Sequence, residues 1–345
     1  MAPARTTVTI RDVARLAGVH PGTVSRALNA RTRQLVNRET AERVLRAADE
    51  LGYRPNPIAR GLKTNRSFTI GVLIPDITNP LFPPILRGIE DRLDEAGYTS
   101  LIVNTDNDAA REHRQLEAMR ARQVDGFISA TARLDRQVLE EVAGTDVPLV
   151  LVNRSLEDGS VPAVTVDDRA GIRLAVEHVA SLGHTRIGHI AGPQNTSTGH
   201  RRYLGFGEAM REAGLAVLDE GVRVADWFTE EEGARACRSL LDAQLGLTAI
   251  VAANDLLAVG SFDTLEERGL RCPDDLSVVG FNDMPFVDRL RPPLTSVRVP
   301  QREAGVAAAD LLLERLGDGP QPVREILLEP TLSIRGSTAP LRARD

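Results

Sequence analysis

The apolar positions near the start of the chain are few, small and spaced for helices. Ile10, Val13, Ala14 and Ala17 keep to one face of a segment that Thr9 can cap and that Gly18 can end in a left-handed conformation. Val19 follows as a buried turn residue. Pro21 suits the first position of a second helix, where its missing N–H costs nothing, and Val24 and Leu28 lie four apart on the inner face. Ala14 is small enough for the two helices to cross closely, as a helix-turn-helix requires. A third helix, capped by Asn37 and running through Val44, Leu45, Ala48 and Leu51 to Gly52, closes the small core. Beyond Tyr53, Asn56 and Pro57 can begin a helix over Ile58–Lys63 of only about two turns, too short to be stable unsupported.

From Phe68 the pattern changes to short apolar runs separated by amphipathic stretches. Thr69–Ile74, Thr99–Val103, Gly126–Ser129 and Pro148–Val152 read as buried parallel strands, with helices such as Pro84–Ala96 and Arg111–Arg122 between them. Arg186–Ala191, Ala249–Ala253 and Ser277–Phe281 make a second series. The pattern predicts two doubly wound parallel sheets side by side, the architecture of bilobed binding proteins. A ligand is expected where the strand ends of both sheets face a shared cleft.

Charge divides the chain at the same place. Residues 1–66 carry 13 Lys and Arg against 5 Asp and Glu, a net of +8, whereas the rest carries 29 against 43, a net of −14. A basic head on an acidic body points to a polyanionic partner for the head alone. The start of the chain lacks the apolar run of a secretory signal, and no stretch approaches eighteen uninterrupted apolar residues, so a cytoplasmic protein without membrane contact is expected. Cys237 and Cys272, the only cysteines, are expected as reduced thiols.

The outward face of the second helix carries His20, Gly22, Thr23, Ser25, Arg26 and Asn29. Arg26 in a major groove can make the bidentate contact to guanine, and Thr23 and Ser25 can reach bases or phosphate. Taken alone Arg26 would be an ordinary solvated arginine; its place in a basic helix-turn-helix favours DNA.

At the strand ends stand Leu81 and Phe82, Asn153 and Arg154, Thr198 and Arg202, Trp227, Asn254 and Asp255, and Asn282 and Asp283. Amides and carboxylates that pair hydroxyls, with flat apolar faces to cover a ring, suit a small hydroxylated ligand. Phe82 and Trp227 serve equally well as core aromatics. Asp255 reads as the cap of the helix that follows and Asn254 as the ligand contact, while Arg154 reads as a surface cation more than as a selector of acidic ligands. His178, His184 and His189 are close in sequence, but their spacing does not stack them on one helical face, so no metal is expected. No GxSxG, HExxH or Walker lysine is present, GFGEAM at 205–210 falls short of a dinucleotide fingerprint, and no cofactor or enzymatic activity is expected.

The segments TIRDVARLAGV, TVSRALN, NPIARGLK, IGVLIPDITNPLF, DGFI, LGHTRIGHIAGP, AANDLLAVG, SVVGFND and RPPLTSV, spread from residue 9 to 298, resemble the lactose-repressor (LacI/GalR) family of bacterial transcription regulators in order and content. The resemblance implies an all-α helix-turn-helix headpiece (1–55), a hinge helix and linker (56–67) and a periplasmic-binding-protein-like effector domain. The lobes of that domain are 68–168 with 299–328 and 169–298 with 329–338, and 339–345 is a tail. It implies that Leu62 is a wedge that pairs of hinge helices push into the minor groove, and that Pro21, Gly22 and Arg26 sit where operators are discriminated. His20 stands where the family usually caps with Ser or Thr, and Pro21 and Gly22 offer no side-chain hydrogen bonds, so base selection leans on Arg26, His20 and DNA shape. The DNA-contacting set is thus Thr9, His20, Pro21, Gly22, Thr23, Ser25, Arg26 and Asn29 in the head, with Asn56, Ala59, Leu62 and Lys63 in the hinge. By family position the effector contacts are Leu81, Phe82, Asn153, Thr198, Arg202, Trp227, Asn254 and Asn282, the last an amide where the family's sugar binders usually place Asp. The expected function is a repressor that binds a palindromic operator as a homodimer under control of a small-molecule effector. The expected interface lies around Phe82–Arg92 and Met284–Asp288, and the short tail has no heptads for a tetramer. The competing reading, a solute-binding protein of the same bilobed fold, would carry a signal peptide and lack the helix-turn-helix.

Overall fold

The computed structural model describes residues 8–29, 32–54, 66–134, 147–317, 319 and 321–341. Two compact units divide the chain, the first ending at Ser67. The first contains α1 (Ile10–Ala17), α2 (Pro21–Leu28) and α3 (Arg38–Glu50). Its core is Val13, Ala14, Ala17, Val24, Ala27, Ala41, Val44, Ala47 and Ala48, with Ile10, Leu28 and Leu51 packed against it. Side chains this small hold little apolar area, and local devices fix the ends. The Asp12 carboxylate accepts from both the backbone N–H and the hydroxyl of Thr9. Gly18, at φ 65°, closes α1 with bonds to the carbonyls behind it. Two arginines tie helix ends together: Arg43 Nε donates to the carbonyl of Ala17, and Arg33 Nε to that of Ala27, each at 2.9 Å.

The second unit holds two six-stranded sheets. In chain order it runs β1 (Thr69–Ile74), α4 (Phe82–Glu95), β2 (Thr99–Asn104), α5 (Ala109–Ala121), β3 (Gly126–Ser129), β4 (Leu149–Val152), β5 (Ala163–Val166), α6 (Asp168–Ser181), β6 (Ile187–Ala191) and α7 (Ser197–Glu212). There follow β7 (Val222–Val224), α8 (Glu230–Asp242), β8 (Ala249–Ala252), α9 (Asp255–Glu267), β9 (Ser277–Asn282), β10 (Thr295–Arg298), α10 (Gln301–Arg315), β11 (Glu325–Leu328) and β12 (Thr331–Ser333). The first sheet has the order β11-β5-β4-β3-β1-β2 and is parallel throughout, with registers such as Ile70 opposite Gly126 and Leu151 opposite Ala163. The second has the order β12-β10-β9-β8-β6-β7, and β12 alone runs antiparallel. The chain therefore returns to the first sheet for β11 after building most of the second. All seven strands read from the sequence are present, and β5, β7, β10, β11 and β12 join them.

The central strands β1, β3, β4, β8 and β9 are buried along almost their whole length, as two covered faces demand. Helices cover them at close range. A side chain on Gly88 of α4 would collide with the carbonyl of Arg302 on α10, and one on Gly305 of α10 with the carbonyl of Ile85, so these two helices meet backbone to backbone. Gly260 of α9 meets α8 at the carbonyl of Glu230 in the same way.

Candidate functional site

Parallel strands place their carboxyl ends on one side of a sheet, and in each lobe the loops from those ends turn toward a common cavity of about 310 Å³. After β1 come Pro75, Asp76, Asn79, Leu81 and Phe82; after β2, Asp106 and Asn107; after β3, Arg133; after β4, Asn153 and Arg154. The second lobe adds Pro193, Asn195, Thr196, Thr198 and Arg202 after β6, Trp227, Phe228 and Thr229 after β7, Asn254 after β8 and Asn282 at the end of β9. All eight side chains singled out in the sequence line this one cavity. Of the others on the first-lobe wall, Asp106, Asn107 and Arg133 arise from the loops after β2 and β3, and TDND and ATARL at those strand ends are the signal that would have found them.

Local chemistry fixes the lining. The Asn79 carboxamide oxygen accepts from the Leu81 N–H at 3.0 Å and sets the start of α4, on which Phe82 is buried and Leu81 packs beside it. Thr196 caps α7 by accepting from the Gly199 N–H at 3.1 Å, and a side chain on Gly199 would strike the carbonyl of Pro193. Asn153 and Asn282 hold left-handed backbones, φ 66° and 110°. Asn282 Oδ1 is buried without a hydrogen-bond partner, an acceptor that a ligand donor can satisfy. Trp227 is half exposed at the cavity, so it can cover a ring there without being a core aromatic; Phe82 is both core and lining.

Two expectations are corrected. The cap of α9 is Asn254, which accepts from the Leu257 N–H at 2.9 Å. Asp255 is instead the first helical residue, fully buried, and takes bonds from the Met284 N–H at 2.8 Å and the Ser296 hydroxyl at 2.5 Å. Its carboxyl is pushed up to about 7, chiefly by burial. Arg154 is not a surface cation: it is 5 % exposed, and burial draws it down to about 10, with Glu112 opposing that shift and Arg133 and Arg202 adding to it.

Arg202 is as buried as Arg154 but differently supplied. Its Nε donates to Asp168 at 2.7 Å, Nη1 donates to the carbonyl of Ala253 at 2.6 Å, and the guanidinium lies 3.8 Å over the Phe281 ring. Burial raises the Asp168 carboxyl, and the Arg202 cation offsets part of that rise. Arg154 has one hydrogen bond, from Nη1 to the carbonyl of Thr131 at 3.3 Å, and its buried Nε has none. Among the described residues no three His, Cys, Asp or Glu side chains are grouped to hold a metal ion. The three histidines bond elsewhere: His178 to the Thr338 hydroxyl, His184 to Thr248 and the carbonyl of Ala339, His189 to the carbonyl of Val251.

In the first unit His20 caps α2: its Nδ1 accepts from the Gly22 N–H at 3.1 Å. That bond leaves Nε2 to carry the proton of a neutral ring, a donor turned away from the cap. Ser25 and Arg26 are exposed, and Pro21, Gly22, Thr23 and Asn29 half-buried, on the face opposite Val24 and Ala27. Thr9 is exposed at the start of α1. Asn56, Ala59, Leu62 and Lys63 lie outside the described residues. Also among the described residues, no helix is long and apolar enough to cross a membrane.

Comparison with known proteins agrees with both units. Residues 9–56 match the lacI family of bacterial regulatory proteins, and residues 176–338 match the periplasmic binding protein-like domain. The ribose operon repressor of Halalkalibacterium halodurans is 36 % identical over 330 residues, 96 % of this chain and 97 % of its own. The lac repressor dimer bound to operator and the anti-inducer ONPF superposes with a TM-score of 0.81 at 27 % identity, covering 97 % of this chain and 100 % of that one. A complex of the transcriptional regulator CelR with cellobiose gives 0.74 at 32 % identity over 96 % and 99 % of the two chains. With a helix-turn-helix in its first unit and strand-end loops around a cavity in its second, the chain belongs to the LacI family of bacterial regulatory proteins and is a DNA-binding transcriptional repressor with an effector-binding domain.

Proposed function

We propose that this repressor binds a palindromic operator as a homodimer and responds to a small polar metabolite, a sugar or a relative of one, held in the cavity between its lobes. The observation that carries the effector reading is the convergence of eight strand-end side chains on one cavity of about 310 Å³, a size suited to a monosaccharide. The relatives whose names mention ribose and cellobiose support a hydroxylated ligand. Two heads about one helical turn of DNA apart require two copies, and the dimeric lac repressor supports that assembly. Phe286, 78 % exposed on the loop after β9, is an apolar knob of the kind a second copy covers. The protein acts in the cytoplasm, where its DNA is, and performs no catalysis.

Effector binding alters the angle between the lobes and with it the grip of the paired heads. Effector and DNA affinities are therefore coupled reciprocally, whichever sign the response takes. Thr9, His20, Pro21, Gly22, Thr23, Ser25, Arg26 and Asn29 face the operator, and Arg26 does most of the base reading. Selection of genomic fragments on the purified protein, followed by footprinting, is expected to yield a symmetric site. Arg26→Ala is expected to lose about 1–3 kcal/mol of discrimination between that site and random DNA. Equal losses on both would mean that Arg26 contacts phosphate only.

A further inference from the structure

We propose that the effector is an anion, a monosaccharide-sized hydroxylated carboxylate or phosphate ester, whose charged group is held by Arg154 and Arg133 on the first-lobe wall. The proposal deepens the effector reading of the cavity and rests on it.

The argument begins with the two buried arginines. Arg202 brings its own carboxylate, carbonyl and aromatic face, so the second-lobe wall reaches neutrality without a ligand. The remaining polar side chains on that wall are uncharged amides and hydroxyls, Thr198, Asn254 and Asn282 among them. Arg154 is equally buried, yet its single hydrogen bond is long and its Nε–H is unmatched. A buried guanidinium N–H without an acceptor costs the desolvation of a charged donor, and the cavity it lines is the place from which an acceptor can come. Arg133, half-buried in the same lining, gives an N–H to the carbonyl of Asn107, and its own charge repels Arg154.

The carboxylates nearby do not cancel this wall. Asp106 is held by Arg111 and the Asn104 amide. Asp76 is half-exposed, where water screens it, and accepts from the backbone and hydroxyl of Thr78. Glu112, buried behind the wall and bonded by the Thr131 hydroxyl, is the counter-charge that acts on Arg154 among the described residues. Among the described residues the wall thus carries two guanidinium groups against one buried carboxylate, leaving room for a second anion. A planar guanidinium fork matches a carboxylate or phosphate edge with paired N–H···O bonds, which a sugar hydroxyl cannot accept with the same strength. The amides and hydroxyls across the cavity then take the neutral, hydroxylated end of the same molecule.

Trp227, the only tryptophan, lines the cavity, so its emission reports occupancy of the full-length protein. A bacterial small-molecule extract is passed over an anion exchanger, and the retained and unretained fractions are tested for a change in Trp227 emission and a rise in unfolding temperature. Glucose, gluconate and glucose 6-phosphate serve as defined probes. Activity is expected in the retained fraction, and among any defined probes that bind, the anions are expected to be preferred over glucose by about tenfold or more. Arg154→Gln is expected to abolish that preference. Should its burial prevent folding, Arg133→Gln, at a half-buried position, reads the same preference and is expected to reduce it. Activity confined to the unretained fraction would overturn the anion and leave the effector reading standing, as would a preference that survives both substitutions. Activity in neither fraction would overturn the effector reading itself, and the proposal with it.

Discussion

The head and the body bury apolar surface by different means. No fully buried residue in the head is larger than valine: six of its nine core members are alanine, and the other three are Val13, Val24 and Val44. The body centres on Phe127, Phe206, Phe281 and long aliphatic side chains between sheet and helix. Because burial stabilises in proportion to apolar area, the head gains little from its core and depends on caps and arginine cross-ties, whereas the body can hold ionised groups in its interior. The head buries no charged side chain among its described residues; the body buries Glu112, Arg154, Asp168, Arg202 and Asp255.

The largest test of that contrast removes one member of the body's paired interior charges. Arg202→Ala leaves Asp168 at 3 % exposure without its ion-pair partner, and a broken buried pair costs about 3–5 kcal/mol. Urea unfolding is expected to show that loss in the body's transition, while hydrogen exchange of the head amides stays as it was. A loss below about 1 kcal/mol would mean that water already reaches the pair, as at exposed ion pairs.

The same measurement on the head is expected to give a smaller energy with a larger consequence. Val44 is fully buried between the three helices, and Val44→Ala removes two methyl-sized groups, about 2 kcal/mol with the cavity included. A core made mostly of alanine has few neighbours able to collapse into the gap. Head amides are expected to exchange freely at a urea concentration that leaves the body folded. If instead the head kept its protection, its cross-ties from Arg33 and Arg43 would outweigh its core.

This contrast also explains what could be read from the residues alone. The head's helices were legible because every apolar position there repeats at helical spacing between residues that start or stop a helix, such as Pro21 and Gly18. The central strands were legible as uninterrupted apolar runs. The strands β5, β7, β10, β11 and β12 were not, since Thr165, Arg223 and Thr295–Ser296 break the apolar runs of the first three, and Glu325 and Thr331 put polar side chains at the sheet edges. The cavity's eight expected residues came from strand ends and family position. Arg133 and the burial of Arg154 depend on loops and on Glu112, brought together only by folding. Asn254 and Asp255 show the limit most closely. Either can cap a helix by composition, and only the position of Met284 and Ser296 decides which one turns inward.

The smallest expected effect concerns the interior titrations of the body. His189 is fully buried against Phe206, and burial draws it down to about 4 from 6.5. A depressed histidine contributes stability that is present above about 6.5 and lost as pH falls through about 4. Asp255 is pushed up to about 7 from 3.8, so its contribution is present below the lower value and lost as pH rises through the higher. Between pH 4 and 6.5 the two groups pull in opposite directions, each by at most one proton, or about 1.4 kcal/mol per pH unit. Asp168 adds to the slope of Asp255, and His178 and His184 add to that of His189. The body's stability is therefore expected to change little across this window. His189→Phe, which keeps a ring against Phe206, is expected to make it fall as pH rises, and Asp255→Asn to make it rise. Urea midpoints at pH 4.5 and 6 separate the two slopes. Parallel changes in both variants would mean that neither group titrates as an interior charge, and the division between a head without buried charges and a body built around them would lose its thermodynamic meaning.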